Sequence, residues 1–154
     1  MTTIKPAPVV KSILVKVPPA RAFAVFTADI GKWWPASHSI GGKFKETVLE
    51  PRPGGRWYER ETDGSECDWG KVIAWEPPSR VLLAWQLDHN FKYAADLVTE
   101  VEVRFIPESA GATRVELEHR NLERLGEHAE RLSAAVSRGW PAILEHFAAA
   151  TSTA

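Results

Sequence analysis

The chain has 154 residues, which suits one domain with a sizeable core that needs neither disulfides nor metals. Its 19 basic and 20 acidic residues give a formal net charge of -1, which disfavours nucleic acid or an anionic membrane as a partner. Cys67 is the single cysteine, so no internal disulfide forms. Because the N-terminal sequence also lacks a signal-peptide core, we expect a cytoplasmic protein.

The N-terminal part predicts one strand followed by two short helices. Residues 1–8 contain two prolines and no periodicity, and we expect a loose lead-in there. Residues 9–17 alternate apolar and polar side chains, which predicts a strand. Good helix formers over 20–27 predict the first helix, and Asp29 is the expected N-cap of a second helix that reaches Trp34.

Six further strands follow, separated by turns that contain glycine or proline. They are predicted at residues 47–50, 56–61, 68–75, 80–87, 97–106 and 113–120. Residues 107–112 are expected to form the last turn. The clean alternation in the last two strands indicates one buried face and one wet face.

The strands at 68–75 and 80–87 form the strongest predicted hairpin. Its turn, Glu76 to Ser79, holds two prolines, which cannot donate ladder hydrogen bonds. Alternation places Trp69, Ile73 and Trp75 on one face of the first strand, and Trp85 on the matching face of the second. Three tryptophans on one hairpin need either a wide core or a cavity to line.

Residues 127–149 change to a helical period. Leu132, Val136, Trp140, Ile143 and Phe147 recur at spacings of three or four and form one apolar stripe. Gly139 is expected to permit close approach to the sheet, and Pro141 is expected to bend the helix.

This order of elements carries the segments VPPARAFAVFT, DIGKWWP, PGGRWYE, WGKVIAWEPPSRVLLAW, TEVEVRF, ATRVELEH and GWPAILEHF. Over residues 9–150 the chain resembles the START-like (SRPBCC) superfamily, and within it the branch named for the activator of Hsp90 ATPase homologue 1 (AHSA1-like). The resemblance implies a single α+β domain with the helix-grip START-like fold. In that fold a curved seven-stranded antiparallel sheet wraps on a long C-terminal helix, and two short helices follow the first strand.

The resemblance also implies an apolar cavity between the sheet and the helix. In the superfamily such cavities bind lipids, sterols, polyketides or aromatic metabolites, and some members are enzymes. The branch name implies chaperone activation less directly, because the resemblance covers a lone domain without an additional chaperone-binding module.

Two polar residues are the candidates for chemistry inside the cavity. His119 continues the inward set of Val115 and Leu117, and it matches a position where the family often has histidine. It would act on a ligand as an acid or base, or it would be a core histidine satisfied by a backbone carbonyl. Glu59 faces inward if Trp57 does, and it could then pair with His119. The other register puts Tyr58 inside and Glu59 in solvent.

No metal or organic cofactor is expected. The histidines at 38, 89, 119, 128 and 146 show no zinc-binding spacing, and the chain has no nucleophile elbow or phosphate-binding loop. Cys67 is expected to be a half-buried apolar residue rather than a reactive thiol, because no helix start or cationic cluster lies near it.

Aromatic residues are the candidate walls of a ligand site. Trp33 and Trp34 end a short helix beside a polar loop, where they would form a lid or entrance, or else plug and cover the core. The other predicted wall residues are Tyr58, Trp69, Trp85, Phe105, His119, Val136 and Trp140. For each of the aromatic residues, plain core packing is the alternative role.

Three functions fit these patterns. The first is binding of a small apolar or aromatic ligand between the sheet and the C-terminal helix. The second is a protein-binding module related to chaperone activators, with a protein partner or a homodimer and a filled interior. The third is a cyclase- or hydrolase-like enzyme, in which His119 and Glu59 would meet inside the cavity. An enclosed cavity of at least about 300 Å³ distinguishes the first and third from the second.

Overall fold

The structure is a computed structural model that describes residues 7–38 and 41–152. Most of the predicted lead-in, residues 1–6, lies outside the described residues. Seven antiparallel strands form one curved sheet in the order β1-β7-β6-β5-β4-β3-β2. The predicted α+β helix-grip fold is confirmed, with two short helices after the first strand and a long helix at the C-terminus.

The strands have the following bounds: β1 Val9–Val15, β2 Phe44–Leu49, β3 Arg56–Glu61, β4 Glu66–Glu76, β5 Arg80–Trp85, β6 Thr99–Ser109 and β7 Ala112–Arg120. The predicted turn over 107–112 is therefore too long, because only residues 110 and 111 separate β6 from β7. Pro107 fits within β6 because the pairing with β5 ends at Arg104, and the last hydrogen bond on that side is from the Phe105 N–H to the carbonyl of Ser79 at 2.8 Å.

The predicted hairpin forms as β4 and β5, but one of its inward residues was assigned to the wrong face. Val72 pairs with Leu83 and Ala74 pairs with Leu82, so Ile73 is the extra residue of a β-bulge. The bulge turns Ile73 outward, where it is 40% exposed, and Val72 takes the inward position. Trp75 still packs against Phe23 on the inner side, with ring centroids 5.1 Å apart.

The helices are α1 Pro19–Thr27, α2 Ile30–Trp33 and α3 Ala129–Thr151. All five residues of the predicted stripe on α3 are buried, and the helix continues through Pro141. A Cβ atom at Gly139 would lie 3.6 Å from the ring of His38, so this glycine faces the segment after α2 and not the sheet as predicted. No helix within 7–38 and 41–152 combines the length and apolarity needed to cross a membrane.

A buried chain of hydrogen bonds fastens α3 to three adjacent strands. The indole N–H of Trp140 donates to His119 Nδ1 at 3.2 Å. The other ring nitrogen of His119, Nε2, therefore carries the proton and donates to Thr99 Oγ1 at 2.8 Å. The Thr99 hydroxyl then donates to the carbonyl of Trp85, at 3.4 Å. Every hydrogen-bonding atom of the His119 ring is used in this chain.

Trp140→Ala is expected to lower the free energy of unfolding by about 3 to 5 kcal/mol, because it leaves a cavity at the centre of the core. Trp140→Phe keeps most of the packing but leaves His119 Nδ1 buried without its donor, and a cost of about 1 to 3 kcal/mol is expected. Urea unfolding of both variants measures these values. If Trp140→Phe is as stable as the wild type, the indole bond does not fasten the helix.

Acid should weaken the fold through His119, because burial lowers the pKa of this residue from 6.5 to about 3. Below about pH 6.5 the unfolded chain takes up a proton here that the folded chain excludes. The stability present above pH 6.5 is therefore lost as the pH falls towards 3, by up to about 1.4 kcal/mol per pH unit.

Urea unfolding from pH 6.5 to 4.5 measures how the free energy of unfolding changes with pH. In His119→Gln this slope should be shallower than in the wild type by up to about 1.4 kcal/mol per pH unit. The control is His128→Gln, which alters a partly exposed histidine and should keep the wild-type slope. Equal slopes in His119→Gln and the wild type would contradict the burial argument.

Candidate ligand-binding site

A cavity of about 410 Å³ opens at one end of the sheet, next to the middle of α3. Four parts of the chain supply its apolar walls. They are Trp34 just after α2, Trp69 on β4, Trp85 at the end of β5 with Leu87 two residues later, and Ile143 on α3. Trp69 and Trp85 reach the same space because β4 and β5 are paired and both side chains point to the inner face. The cavity is thus built where the tryptophan-rich hairpin meets the helix.

Below the cavity the interior is filled by aromatic rings. Trp34 and Trp69 have ring centroids 4.9 Å apart, Trp57 and Trp69 are 5.4 Å apart, and Trp85 and Trp140 are 5.7 Å apart. The buried indole N–H groups of Trp57, Trp69 and Trp85 have no hydrogen-bond acceptor among the described residues. The tryptophans therefore fill the centre of the domain, where the sequence analysis considered an enclosed cavity, and the space that they border is a pocket open to solvent.

Two loops complete the lining of the cavity with polar side chains and one further aromatic ring. The loop after β5 contributes Asn90, Lys92 and the ring of Phe91. Asp88 shapes this loop by accepting the backbone N–H groups of Asn90 at 2.8 Å and Lys92 at 3.0 Å, and these bonds lower its pKa. Phe91 has a φ of 59°, which turns its ring towards Trp85, with centroids 6.4 Å apart.

His38 also lines the cavity, from a short 3₁₀ helix at Ala36–His38. Partial burial lowers its pKa, and the nearby His146 lowers it further, so the ring is neutral at pH 7. Ser37 Oγ lies 3.1 Å from His38 Nδ1, and the carbonyl of His38 accepts a bond from the Trp34 indole at 3.3 Å. A neutral imidazole at the edge of an apolar cavity can accept a proton from a bound molecule.

A second, wider groove of about 720 Å³ lies outside Trp33 and Trp34. Arg21, Lys32 and His146 contribute to its walls. These polar and charged walls suit an apolar ligand less well than the cavity beside Trp85.

Of the predicted wall residues, Trp34, Trp69 and Trp85 line the cavity. Trp33 is part of the core, where its indole donates to the carbonyl of Val25 at 2.7 Å. Phe105 packs on Phe23 and Phe26, away from the opening. Val136, Trp140 and His119 are buried and lie outside the cavity lining.

Tyr58 lies on the other face of the sheet from the predicted cavity wall. Its ring is covered by the guanidinium group of Arg56, 4.0 Å from the ring centroid, and its hydroxyl accepts a bond from Arg60 at 3.1 Å. Trp57 is the inward residue and contacts Trp69, and Glu59 is buried on the same side. Of the two registers considered for β3, the structure has the one with Trp57 and Glu59 inside.

His119 and Glu59 do not form the expected pair. They lie on β7 and β3, which are separated by three strands of the sheet. Both ring nitrogens of His119 bind Trp140 and Thr99, and Glu59 accepts the backbone N–H of Gly41 at 3.2 Å. His119 is also satisfied by side chains, and not by the backbone carbonyl considered from the sequence.

Glu59, Glu61 and Cys67 form a separate cluster of potential metal ligands, with one ligand atom from each lying within 4.8 Å of the others. Burial raises the pKa of the Cys67 thiol to about 11, and the neighbouring Glu61 contributes to this increase. The thiol is therefore protonated at neutral pH, as the sequence interpretation of Cys67 required.

The sequence patterns did not identify Ser37, His38, Asn90 or Lys92 as site residues, although both loops were recognised. Their polar composition marks a surface loop and gives no indication of which loops meet in space. The one local signal is Asp88 two residues before Asn90, a spacing typical of an Asx turn that orients the following side chains.

The family of activator of Hsp90 ATPase homolog 1-like proteins matches this chain over residues 16–152. Among solved structures, the anthrahydroquino-γ-pyrone synthase Txn09, complexed with SUM, is 36% identical over 86% of this chain and 88% of its own, with a TM-score of 0.59. CalC from Micromonospora echinospora, a self-sacrificing resistance protein, is 28% identical over 94% of this chain and 93% of its own, with a TM-score of 0.68.

The protein MLL2253 from Mesorhizobium loti shares the fold at 21% identity over 92% of this chain and 94% of its own, with a TM-score of 0.64. No protein of curated function matches the chain. The family match covers most of the chain, including strands β2 to β7, the residues that line the tryptophan-walled cavity, and α3; β1 lies just before it. The chain therefore belongs to the activator of Hsp90 ATPase homolog 1-like (AHSA1-like) family.

Proposed function

We propose that this protein binds a small aromatic ligand in the cavity beside Trp85. The observation that carries the proposal is the convergence of Trp34, Trp69 and Trp85 on an opening of about 410 Å³, where the polar side chains among the described lining residues are Ser37, His38, Asn90 and Lys92. Cavities of roughly 300 to 1,000 Å³ with apolar walls and a few polar groups are typical of small-molecule sites. Indole walls favour a planar ligand, because aromatic rings stack or meet edge to face.

Lys92 and His38 determine which polar substituents the ligand would carry. Lys92 is an exposed cation at the mouth, and His38 is a neutral ring that can accept or donate a hydrogen bond. A planar aromatic molecule with a phenolic or carboxylic group at one edge would place its rings on the tryptophans and that group at the mouth. The 36% identity to a synthase named for a fused aromatic product supports this ligand class.

The test is a thermal-shift and native mass-spectrometry screen. The panel contains planar polycyclic phenols, the same ring systems without the hydroxyl groups, and aliphatic lipids of equal size. A ligand at a hundred times its dissociation constant adds about 2.7 kcal/mol of stability. We expect that effect from the phenols, a weaker one from the unsubstituted rings and none from the lipids. If no member of the panel binds, the proposal is wrong.

Phe91→Asn should weaken ligand binding at least about tenfold, because it removes one wall of the cavity and about 1.4 kcal/mol is a factor of ten. Asparagine tolerates the positive φ at this position, so the loop should keep its shape. Isothermal titration with the best ligand of the panel measures the change. Tyr93→Asn is the matched control, since Tyr93 lies on the same loop, is 45% exposed and does not line the cavity.

A second candidate function is proton-transfer catalysis on the bound ligand, with His38 as the base. The specific observation in its favour is the neutral His38 ring at the mouth of the cavity, in a chain 36% identical to a synthase. The base would take a proton from a phenolic or carbon acid of the ligand and return it at another position, so that no cofactor is consumed. This role replaces the His119–Glu59 pair expected from the sequence.

His38→Gln should abolish the exchange of carbon-bound ligand hydrogen for deuterium, measured by mass spectrometry on the ligands found in the screen after back-exchange of the hydroxyl groups, and should leave binding within about threefold, a difference of less than 1 kcal/mol. His146→Gln provides the control, because His146 lowers the pKa of His38. This control should remain active with its rate rising at a higher pH than in the wild type. Exchange that is unchanged in His38→Gln would contradict catalysis and leave the binding proposal intact.

The alternative of a protein-binding module makes the opposite prediction for the screen. Such a module would gain no stability from any small molecule. Stabilisation by an aromatic ligand that disappears in Phe91→Asn therefore separates the two functions.

A further inference from the structure

A cluster of two carboxyl groups and a thiol lies on the paired strands β3 and β4. None of its residues lines the cavity described above. Glu59 on β3 is the register partner of Cys67 on β4, and Glu61 follows two residues later on the same face. Glu59 is 0% exposed and Glu61 is 3% exposed, whereas Cys67 is partly exposed. Two fully buried carboxyl groups and a thiol that solvent can reach are thus held on paired strands.

The two carboxyl groups cannot both be ionised here without compensation. The Oε2 atom of Glu61 is buried and has no hydrogen-bond partner among the described residues. A buried carboxylate in this position requires either a proton or a cation.

The backbone at Gly41 closes over this cluster. Its N–H donates to Glu59 Oε2 at 3.2 Å, and a Cβ atom added there would lie 1.6 Å from Glu61 Oε1 and 3.0 Å from Cys67 Sγ. A larger residue at position 41 would displace the carboxyl group of Glu61. The peptide therefore covers the carboxyl groups on one side, and the exposed part of Cys67 leaves access on another.

The spacing of the ligand atoms suits a small divalent cation. The Cys67 thiol donates a hydrogen bond to Glu61 Oε1, with Sγ and Oε1 3.5 Å apart, and a bound ion would take the place of this proton. Zn–S bonds of about 2.3 Å and Zn–O bonds of about 2.0 to 2.2 Å at a tetrahedral angle give a separation of about 3.5 Å between the two ligands. All three ligand atoms lie within 4.8 Å of one another, which lets one ion contact them together after small side-chain movements.

We propose that Glu59, Glu61 and Cys67 bind a divalent metal ion, with Zn²⁺ as the best match to two carboxylate ligands and one thiolate ligand. On binding, the Cys67 thiol releases its proton to solvent, and the proton held between the two carboxyl groups is released as well, so the three ligands carry three negative charges against the two positive charges of the ion. Three protein ligands leave the fourth tetrahedral position for water. The ion supplies the positive charge that the two buried carboxylates require.

The experiment uses the full chain without an affinity tag, stripped with a chelator. Zn²⁺ is titrated against a chromophoric chelator, and Co²⁺ is titrated separately while the absorption spectrum is recorded. We expect one Zn²⁺ per chain, a thiolate-to-cobalt charge-transfer band, and a rise in Tm of about 5 to 11 °C at a Zn²⁺ concentration a hundred times the dissociation constant.

Cys67→Ser should lose the cobalt band and bind Zn²⁺ at least about tenfold more weakly, and Glu61→Gln should also weaken binding. Both replacements are close in size to the native side chain, so each variant should fold. Glu66→Gln, which changes an exposed carboxylate beside Cys67, and the double variant His89→Ala/His128→Ala should bind like the wild type.

The proposal is overturned if the chain binds no stoichiometric Zn²⁺, or if Cys67→Ser binds as tightly as the wild type. In the first case a proton shared between Glu59 and Glu61 stabilises the cluster, and Glu61→Gln should then raise Tm at pH 8 without any metal. None of these outcomes depends on the cavity beside Trp85, so the ligand-binding proposal is tested separately.

Discussion

The hydrogen bond between the Trp140 indole and His119 is the interaction on which the domain depends most. It joins α3 to β7, and through Thr99 it reaches β6 and the carbonyl of Trp85 on β5. A neutral imidazole suits this place because it accepts at one nitrogen and donates at the other. Trp140 also contacts Trp34, with centroids 6.2 Å apart, so the segment after α2 is positioned by the same residue. Trp140 therefore holds both the helix and the tryptophan at the floor of the cavity in place.

The cavity forms where the cluster of buried aromatic rings stops, near Trp85, and loops take over as the walls. Large rings that meet at steep angles fill the centre of the domain, and beyond Trp85 the walls come from loops that carry smaller or polar side chains. A rigid floor with loop walls is a usual basis for recognition, because loops can change their side chains without unfolding the core. The neutral His38 and the cationic Lys92 lie on those loops, so the polar preferences of the site are set apart from its apolar floor.

The sequence predicted the repeated features of this fold and missed the single departures from them. Alternation and helical spacing identified the strands and the five buried residues of α3, and they placed Trp69 and Trp85 on the inner face. One bulge turned Ile73 outward, because alternation cannot show an inserted residue. Which face of β3 carries Tyr58 depended on the strand register, and the sequence alone left two registers open. His38 and Lys92 meet at one mouth only through long-range packing, which local patterns do not contain.

The inner face of the sheet holds buried polar groups in two different states. His119 uses both ring nitrogens in hydrogen bonds to neutral partners, and burial keeps it uncharged, so it has no remaining capacity for chemistry. Glu61 retains a buried oxygen that has no hydrogen-bond partner within residues 7–38 and 41–152, and it lies beside a second carboxyl group and a thiol. Equal burial therefore has different consequences for the two kinds of side chain. A neutral histidine is satisfied by one hydrogen-bond donor and one acceptor, whereas two adjacent carboxylates need added positive charge. His119, which the sequence left open between an acid or base and a core histidine, is held in the core by these bonds, and the proposed metal-binding cluster lies on β3 and β4.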